Sequence, residues 1–266
     1  MSRLKQRLQA LRAEGRKALI PYLTAGDPGP AQTVPLMQAL VRGGADVLEL
    51  GVPFSDPMAD GPVIQAACER ALAQGMTLRG VLKLVSKFRE SDQDTPVVLM
   101  GYLNPVEAMG YQAFAEAAVS AGVDGVLLVD LSAEEAGDTV ALLQGAGLET
   151  VFLVAPTTSA ARLQAVCDRA SGFIYYVALK GVTGAGNLDP QLVASQVSEI
   201  RKYSELPVAV GFGVNDAASA AAVGAHADAV VVGSALVKRV QEAGDAAVGE
   251  LESMIAGMRQ ALDQLP

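Results

Sequence analysis

The stretch PVVLMGYLNPVEAMGYQAFAEAAVSAGVDGVLLVD, residues 96–130, contains two short apolar runs, at 96–102 and 125–129, with a longer segment between them. Runs that are apolar at consecutive positions are typical of parallel strands covered on both faces. The segment 106–121 is rich in Ala and Glu, has the apolar spacing of a helix, and is long enough to cross from one parallel strand to the next. The stretch therefore predicts a strand, a helix and a second, parallel strand.

The same alternation continues in both directions along the chain. Strand-like runs rich in Val, Ile and Leu occur at 18–23, 46–50, 96–102, 125–129, 149–154, 173–178, 207–212 and 229–233. Segments with helical spacing lie at 31–43, 62–74, 78–90, 106–121, 133–145, 158–169, 190–203, 215–223 and 235–265. Eight strands separated by helices predict an α/β protein, a single (β/α)8 TIM barrel with an extra N-terminal helix. We expect residues 1–266 to form one domain; a doubly wound open sheet is the alternative, because strand number alone does not prove closure.

The composition argues against several classes of protein. Hydrophobic residues make up 51% of the 266 residues and charged residues 18%, which is enough to bury a large core. The net charge of −9 opposes binding to nucleic acid or to an anionic membrane. Cys68 and Cys167 lie far apart without ligand-like spacing, and His226 is the single histidine. A disulfide scaffold, a zinc cluster and a histidine-based nucleophilic mechanism are therefore disfavoured.

The N-terminal segment carries basic residues between its leucines, so it lacks the uninterrupted apolar core of a signal peptide. The chain has no apolar run of the roughly 18 residues that a membrane-spanning helix needs. We expect a cytoplasmic location with reduced cysteines.

In a barrel of this kind the active site lies at the carboxyl ends of the strands. Glu49 sits inside the second apolar run, and Asp60 follows in a loop rich in Pro and Gly. A carboxyl group in an apolar barrel mouth acquires a raised pKa, and two carboxyl groups in different surroundings can divide acid and base roles. The alternative is structural: Glu49 bonds a neighbour, and Asp60 is the N-cap of the helix that begins near Pro62.

Glycines after the last two strands predict a phosphate site. Gly213 follows the seventh run, and Gly233 with Ser234 follows the eighth, where a helix N-terminus would point free N–H groups at an anion. After the sixth run, the stretch 175–190 has the length and the glycine content of a lid over substrate. Turn glycines and an ordinary flexible loop are the plainer alternatives. Aromatic residues at strand ends suit a flat apolar ligand or simple rim packing: Tyr22, Tyr102, Tyr175 and Phe212.

These motifs together closely resemble the α subunit of tryptophan synthase. The matching stretches are PYLTAGDP (21–28), LELGVPFSDPMADGPVIQ (48–65), MGYLNP (100–105), GVTGAG (181–186), VGFGV (210–214) and VVGSALV (231–237). They cover nearly the whole chain in the family's order and spacing, and the segment from Glu49 to Asp60 is highly specific to that family.

The resemblance implies a carbon–carbon lyase of L-tryptophan biosynthesis. Such an enzyme cleaves indole-3-glycerol phosphate to indole and glyceraldehyde 3-phosphate by a retro-aldol reaction and passes indole to a β subunit. It implies no cofactor in this chain, pyridoxal phosphate in the β subunit, and an α2β2 heterotetramer.

The resemblance also implies roles for individual residues. Glu49 corresponds to the acid–base residue that protonates indole C3 and takes the hydroxyl proton, and Asp60 to the carboxylate that holds the indole N–H. Six residues match the family's substrate pocket: Tyr22, Tyr102, Leu127, Tyr175, Thr183 and Phe212. Of these, Tyr102 and Tyr175 match residues near Glu49, and Thr183 matches the lid residue that closes against Asp60. The phosphate ligands match Gly184, Gly213, Gly233 and Ser234. The face that docks on the β subunit matches Pro53, Asp56 and Asn104.

The sequence departs from the family pattern at a few positions. Tyr22 stands where the family usually has Phe, which adds a hydroxyl that needs a partner. Ser132 and Ala133 stand where a proline commonly follows the turn that contains the aspartate. Ala178 stands where Ser is common. No departure removes a proton-transfer group, so activity is expected to survive. Two other functions stay open on sequence alone: a mainly allosteric partner with weak intrinsic activity, and a sugar-phosphate isomerase or epimerase.

Overall fold

The computed structural model describes residues 1–178, 190–211 and 213–265. Its strands form a closed parallel barrel in the order β1 to β8, with β8 paired to β1. They are β1 (Ala18–Thr24), β2 (Leu48–Gly51), β3 (Val97–Gly101), β4 (Gly125–Leu128), β5 (Glu149–Val154), β6 (Ile174–Val177), β7 (Val208–Gly211) and β8 (Ala229–Val232). The predicted TIM barrel is confirmed, and the open sheet is excluded by the β1–β8 pairing.

Helices surround the barrel and close one of its ends. They are α1 (Arg3–Ala13), α2 (Pro30–Arg42), α3 (Pro62–Ala73), α4 (Leu78–Arg89), α5 (Leu103–Met109), α6 (Tyr111–Ala121), α7 (Gly137–Gly145), α8 (Ala160–Arg169), α9 (Pro190–Ile200), α10 (Ala217–Gly224), α11 (Ser234–Ala243) and α12 (Ala247–Asp263). In the described part of the chain, no helix is both long and apolar enough to cross a bilayer.

Two predicted helices are divided in the structure. The segment 106–121 becomes α5 and α6, which meet at Gly110, and the segment 235–265 becomes α11 and α12, which are separated at Gly244. Both glycines have positive φ, 87° and 54°, a backbone conformation that ends a right-handed helix and that other residues adopt at a cost. The hydrophobic period continues across each break, so periodicity alone did not reveal it.

The N-terminal helix α1 packs into the barrel interior at the amino ends of the strands. Leu4, Leu8 and Leu11 of α1 belong to one buried cluster with inward residues of the strands, among them Val98 and Leu127. Leu4 is fully buried. The extra helix is thus a plug at the amino ends of the strands, which leaves the carboxyl ends as the open mouth.

Within the described ranges, a hydrogen bond of one kind recurs four times at the amino ends of the strands. The side chain of a residue one to three positions before each even-numbered strand accepts the N–H of a residue in the preceding odd-numbered strand. The pairs are Asp46 with Leu19 (2.9 Å), Asp124 with Val97 (2.9 Å), Ser171 with Thr150 (3.0 Å) and Asp228 with Val208 (2.9 Å). Buried arginines neutralise two of these carboxylates, Arg259 at Asp46 and Arg89 at Asp124. These stabilising contacts therefore lie at the amino ends of the strands, which we call the lower end, away from the mouth.

Candidate active site

Glu49 is a buried carboxyl group on the inner face of β2. Its register neighbours are Tyr22 on β1 and Val98 on β3, and Val98 belongs to the interior cluster, so Glu49 faces the interior too. Only 2% of Glu49 is exposed, and Oε1 has no hydrogen-bond partner among the described residues. Burial, assisted by the negative charge of Asp60, raises the pKa of Glu49 to about 8. At neutral pH Glu49 therefore carries a proton that it can donate.

Asp60 lies in the loop between β2 and α3 and is held by Tyr102. The Tyr102 hydroxyl donates to Oδ2 of Asp60 at 2.8 Å and accepts the N–H of Ala59 at 3.0 Å. Burial raises the pKa of Asp60, while the hydrogen bond from Tyr102 lowers it. The N-cap of α3 is Gly61, and the Asp60 side chain does not cap that helix. The capping alternative for Asp60 is therefore wrong.

Tyr22 lies beside Glu49 in the barrel mouth. Its hydroxyl is 3.2 Å from Oγ1 of Thr24, which supplies the partner that the additional oxygen needs. A Cβ placed on Gly51 would collide with that hydroxyl, so the absence of a side chain at Gly51 makes room for the ring. On the other side, a Cβ on Gly233 would lie 3.6 Å from the Tyr22 Cβ. Tyr22 thus joins the strand of Glu49 to the predicted phosphate loop.

Tyr175 and Leu127 line the interior on the far strands. Tyr175 pairs with Leu153 and Ala209, and its hydroxyl occupies the space that a side chain on Gly211 would need. Burial, and then the negative charges of Glu49 and Asp60, raise the pKa of Tyr175 well above its ordinary value. Leu127 is 1% exposed and belongs to the same interior cluster. The structure thus brings Tyr175 within the electrostatic influence of both carboxyl groups.

The predicted phosphate site lies at the ends of β7 and β8. The helix α11 begins at Ser234, with Gly233 as its N-cap, and the first helical hydrogen bonds run from Leu236 and Val237 to the Gly233 carbonyl. The N–H groups of Ser234 and Ala235 precede those bonds and have no acceptor within the helix. Gly213 is exposed, with φ 79°. Free N–H groups at the positive end of a helix favour an anion, so these groups are a candidate anion cradle.

Three predicted site residues lie outside the described residues. They are Thr183 and Gly184, in the stretch predicted as a lid, and Phe212, which follows Gly211 in the sequence.

The predicted partner surface has a mixed character. Asp56 and Asn104 are exposed, whereas Pro53 is buried. Met58, in the same loop as Asp56, is 83% exposed, which is unusual for a large apolar side chain. Sequence reasoning did not single out Met58, although a methionine in a loop dense with Pro and Asp was a usable signal.

Sequence reasoning also missed the contacts that hold the site together. Phe54 stacks on Tyr102 with ring centroids 5.2 Å apart, and Gln65 of α3 donates to the Asp60 carbonyl at 2.8 Å. Asp27, 4% exposed, pairs with Arg70 of α3 through two hydrogen bonds of 2.7 and 2.9 Å. Such contacts join distant parts of the chain, so no local pattern marks them.

The arrangement suits acid–base chemistry. It combines one carboxyl group that is protonated at neutral pH, a second that a hydrogen bond keeps available as an acceptor, an aromatic wall and an anion cradle. Among the described residues, no group of three His, Cys, Asp or Glu side chains is placed to hold a metal ion.

Known proteins of similar sequence and fold belong to one family. A family model described as tryptophan synthase alpha chain matches residues 8–264. The tryptophan synthase alpha chain of Laribacter hongkongensis is 64% identical over 99% of this chain and 100% of its own, and that of Thioalkalivibrio sulfidiphilus is 61% identical with the same coverage. Among solved structures, tryptophan synthase subunit alpha from Legionella pneumophila superposes with a TM-score of 0.93 at 46% identity, covering 100% of both chains.

Proposed function

The chain belongs to the tryptophan synthase alpha chain family, whose members cleave indole-3-glycerol phosphate in tryptophan biosynthesis, and on that premise we propose which residues carry the reaction. The chain is an enzyme of this pathway. We assign it to the carbon–carbon lyases that act by retro-aldol cleavage, releasing indole and glyceraldehyde 3-phosphate.

Glu49 is the proposed acid and base, and the observation that carries this assignment is its buried, unpartnered carboxyl group with a pKa of about 8. Protonated Glu49 gives its proton to C3 of the indole ring, which places a positive charge on the ring nitrogen. The resulting carboxylate takes the proton of the hydroxyl on the carbon attached to C3. The carbon–carbon bond breaks, its electrons return to the indole ring, and the hydroxyl carbon becomes the aldehyde. Glu49 ends the cycle protonated, so no proton is gained or lost.

Asp60 is proposed to stabilise the charged intermediate. Its ionised carboxylate would accept the indole N–H while that nitrogen is positive, an interaction that strengthens as charge develops. Ionised Asp60 also raises the pKa of Glu49, so the charged form that the role of Asp60 requires favours the protonated form that the role of Glu49 requires.

The remaining site residues are proposed to bind the rest of the substrate. Tyr22, Tyr102, Leu127, Tyr175, Thr183 and Phe212 would surround the indole and glycerol portions, and Gly184, Gly213, Gly233 and Ser234 would hold the phosphate. Backbone N–H groups at the start of α11 support the phosphate assignment. The whole chain is proposed to work as one domain without a cofactor of its own.

A β subunit is the partner implied by the family, and we propose Pro53, Asp56 and Asn104 as contacts. An α2β2 assembly with pyridoxal phosphate in the β subunit is the proposed form. The exposed Met58 beside Asp56 supports this face as an interface. The cytoplasmic location stays a prediction that cell fractionation would test.

Incubation with indole-3-glycerol phosphate, with and without the β subunit, tests the activity. Substrate and free indole share the same fluorescent ring, so cleavage is followed instead through the other product, glyceraldehyde 3-phosphate, by its enzymatic oxidation with NAD+. The variant Glu49→Gln is expected to lose activity by at least about 100-fold, the contribution of a general acid–base group, and to keep phosphate binding. The exposed Glu69→Gln serves as the matched control. Substantial turnover by Glu49→Gln would reject the role of Glu49.

A further inference from the structure

The loop that carries Asp60 is held at both ends by one side chain, Tyr102, which follows β3. The Tyr102 ring stacks on Phe54 at the start of the loop, at a centroid distance of 5.2 Å. Its hydroxyl reaches the end of the loop, where it contacts the Ala59 N–H at 3.0 Å and Oδ2 of Asp60 at 2.8 Å. Only 4% of Tyr102 is exposed. One residue therefore fixes both the loop and the carboxylate.

The loop backbone has further attachments that do not depend on the Tyr102 hydroxyl. Gln65 of α3 donates to the carbonyl of Asp60 at 2.8 Å, and the Asp60 N–H donates to the carbonyl of Pro57 at 3.0 Å within the loop. The stacking of Phe54 depends on the ring and not on the hydroxyl. Loss of the hydroxyl alone would therefore release the Asp60 carboxylate while the loop stays attached.

The direction of the hydrogen bonds determines which atom carries the proton. A tyrosine hydroxyl has one proton to donate. Its oxygen already accepts a hydrogen bond from the Ala59 N–H. The Tyr102 proton is directed at Oδ2 of Asp60, which accepts it. No hydrogen bond among the described residues engages Oδ1, the other carboxylate oxygen.

We propose that Tyr102 is a positioning residue for Asp60: it engages Oδ2 so that Oδ1 is the oxygen that accepts the substrate's ring N–H. Tyr102 was expected from family resemblance to line the substrate pocket, and here it acts on the reaction through Asp60. The inference rests on the proposed function, because it needs an aromatic N–H donor as substrate.

The variant Tyr102→Phe tests the proposal, since it keeps the ring and removes the hydroxyl. We expect kcat/KM for indole-3-glycerol phosphate to fall by about 10-fold, as for the loss of a hydrogen bond to a charged group. Without the donor, the pKa of Asp60 rises, so the acid limb of the pH profile is expected to move to higher pH. A purely structural role would lower the melting temperature and leave that limb in place.

Tyr111→Phe provides a matched control. The Tyr111 hydroxyl also donates to a carboxylate, Glu107, at 2.9 Å, but on the exposed surface of α6. Its removal is expected to leave both kcat/KM and the pH profile unchanged.

A double-mutant cycle with Asp60→Asn separates positioning from direct substrate contact. The probe is indole-3-propanol phosphate, a non-cleavable analogue, so that binding is measured without turnover. We expect Tyr102→Phe to weaken binding by about 3- to 10-fold in the unmodified chain and not at all in Asp60→Asn.

Two results would overturn the proposal: an unmoved acid limb, or equal weakening by Tyr102→Phe in both backgrounds. The second result would mean that the hydroxyl touches substrate directly. Failure of the proposed function would look different, because the unmodified chain with its β subunit would then form no glyceraldehyde 3-phosphate at all.

Discussion

Glu49 illustrates at the scale of one residue how a functional group opposes stability. An unpaired carboxyl group is costly to ionise in an apolar interior, and Oε1 has no hydrogen-bond partner among the described residues. The folded pKa of about 8 lies above the ordinary value of 4.5. The stability contributed by the neutral carboxyl is therefore complete below pH 4.5 and is lost as pH rises towards 8.

Replacement of Glu49 by Gln should remove this pH-dependent loss. We expect Glu49→Gln to increase the free energy of unfolding by about 3–4 kcal/mol more at pH about 8 than at pH about 5, because the amide does not ionise. Urea unfolding followed by circular dichroism at the two pH values measures the effect. A gain of equal size at both would point to packing instead of ionisation, and Glu69→Gln is the control.

At the scale of elements, close approach of backbones decides which helical glycines can be replaced. Gly43 ends α2, and a Cβ there would lie 2.7 Å from the Glu252 carbonyl and 2.9 Å from the Ile255 Cβ, both on α12. Gly257, inside α12, has open space around its Cα. The two glycines look equivalent in the sequence, yet only Gly43 allows two helices to meet.

The pair Gly43→Ala and Gly257→Ala should change stability in opposite directions. We expect Gly43→Ala to lower the free energy of unfolding by about 1–3 kcal/mol, because α2 must move away from α12. Gly257→Ala is expected to raise it by about 0.5–1 kcal/mol, since Ala is the better helix former and meets no neighbour. Urea unfolding of both variants measures this; equal signs for the two changes would contradict the packing of α2 on α12.

At the scale of the whole molecule, the barrel separates its stabilising end from its reactive end. The lower end holds the α1 plug, the repeated strand caps and the buried ion pairs of Arg259 and Arg89. The mouth holds the unpartnered Glu49 and the loop of Asp60. Stabilising contacts at the closed end offset the cost of a desolvated acid at the open end.

The plug is therefore expected to be important for stability and not for chemistry. Leu4→Ala should lower the free energy of unfolding by about 2–5 kcal/mol, because it leaves a cavity inside the barrel. Below the unfolding transition, kcat/KM is expected to stay within about 2-fold of the unmodified chain, since α1 is at the far end. Leu192→Ala, at a 43% exposed position, is the control. A large loss of activity in folded Leu4→Ala would contradict this separation of the two ends.

Much of the fold and part of the site could be predicted from sequence. The strands match their predicted ranges within two residues at each end, because consecutive apolar positions reflect burial on both faces, which is a local requirement. Glu49 could be singled out because an acidic side chain inside an apolar strand is visible in the local sequence. Gly110 and Gly244 were missed as helix breaks, since a glycine's φ depends on its surroundings.

The sequence by itself determined the order of strands and helices, the carboxyl groups in the mouth and the family, all of which are recorded in local pattern and motif. Only the tertiary structure decided that the sheet closes between β1 and β8, that α1 fills the barrel, and that Tyr102 holds Asp60. The physical reason is that each of these depends on contacts between residues far apart in sequence. Such contacts exist only once the barrel has formed: burial there raises the pKa of Glu49, and the hydrogen bond from Tyr102 favours the acceptor form of Asp60.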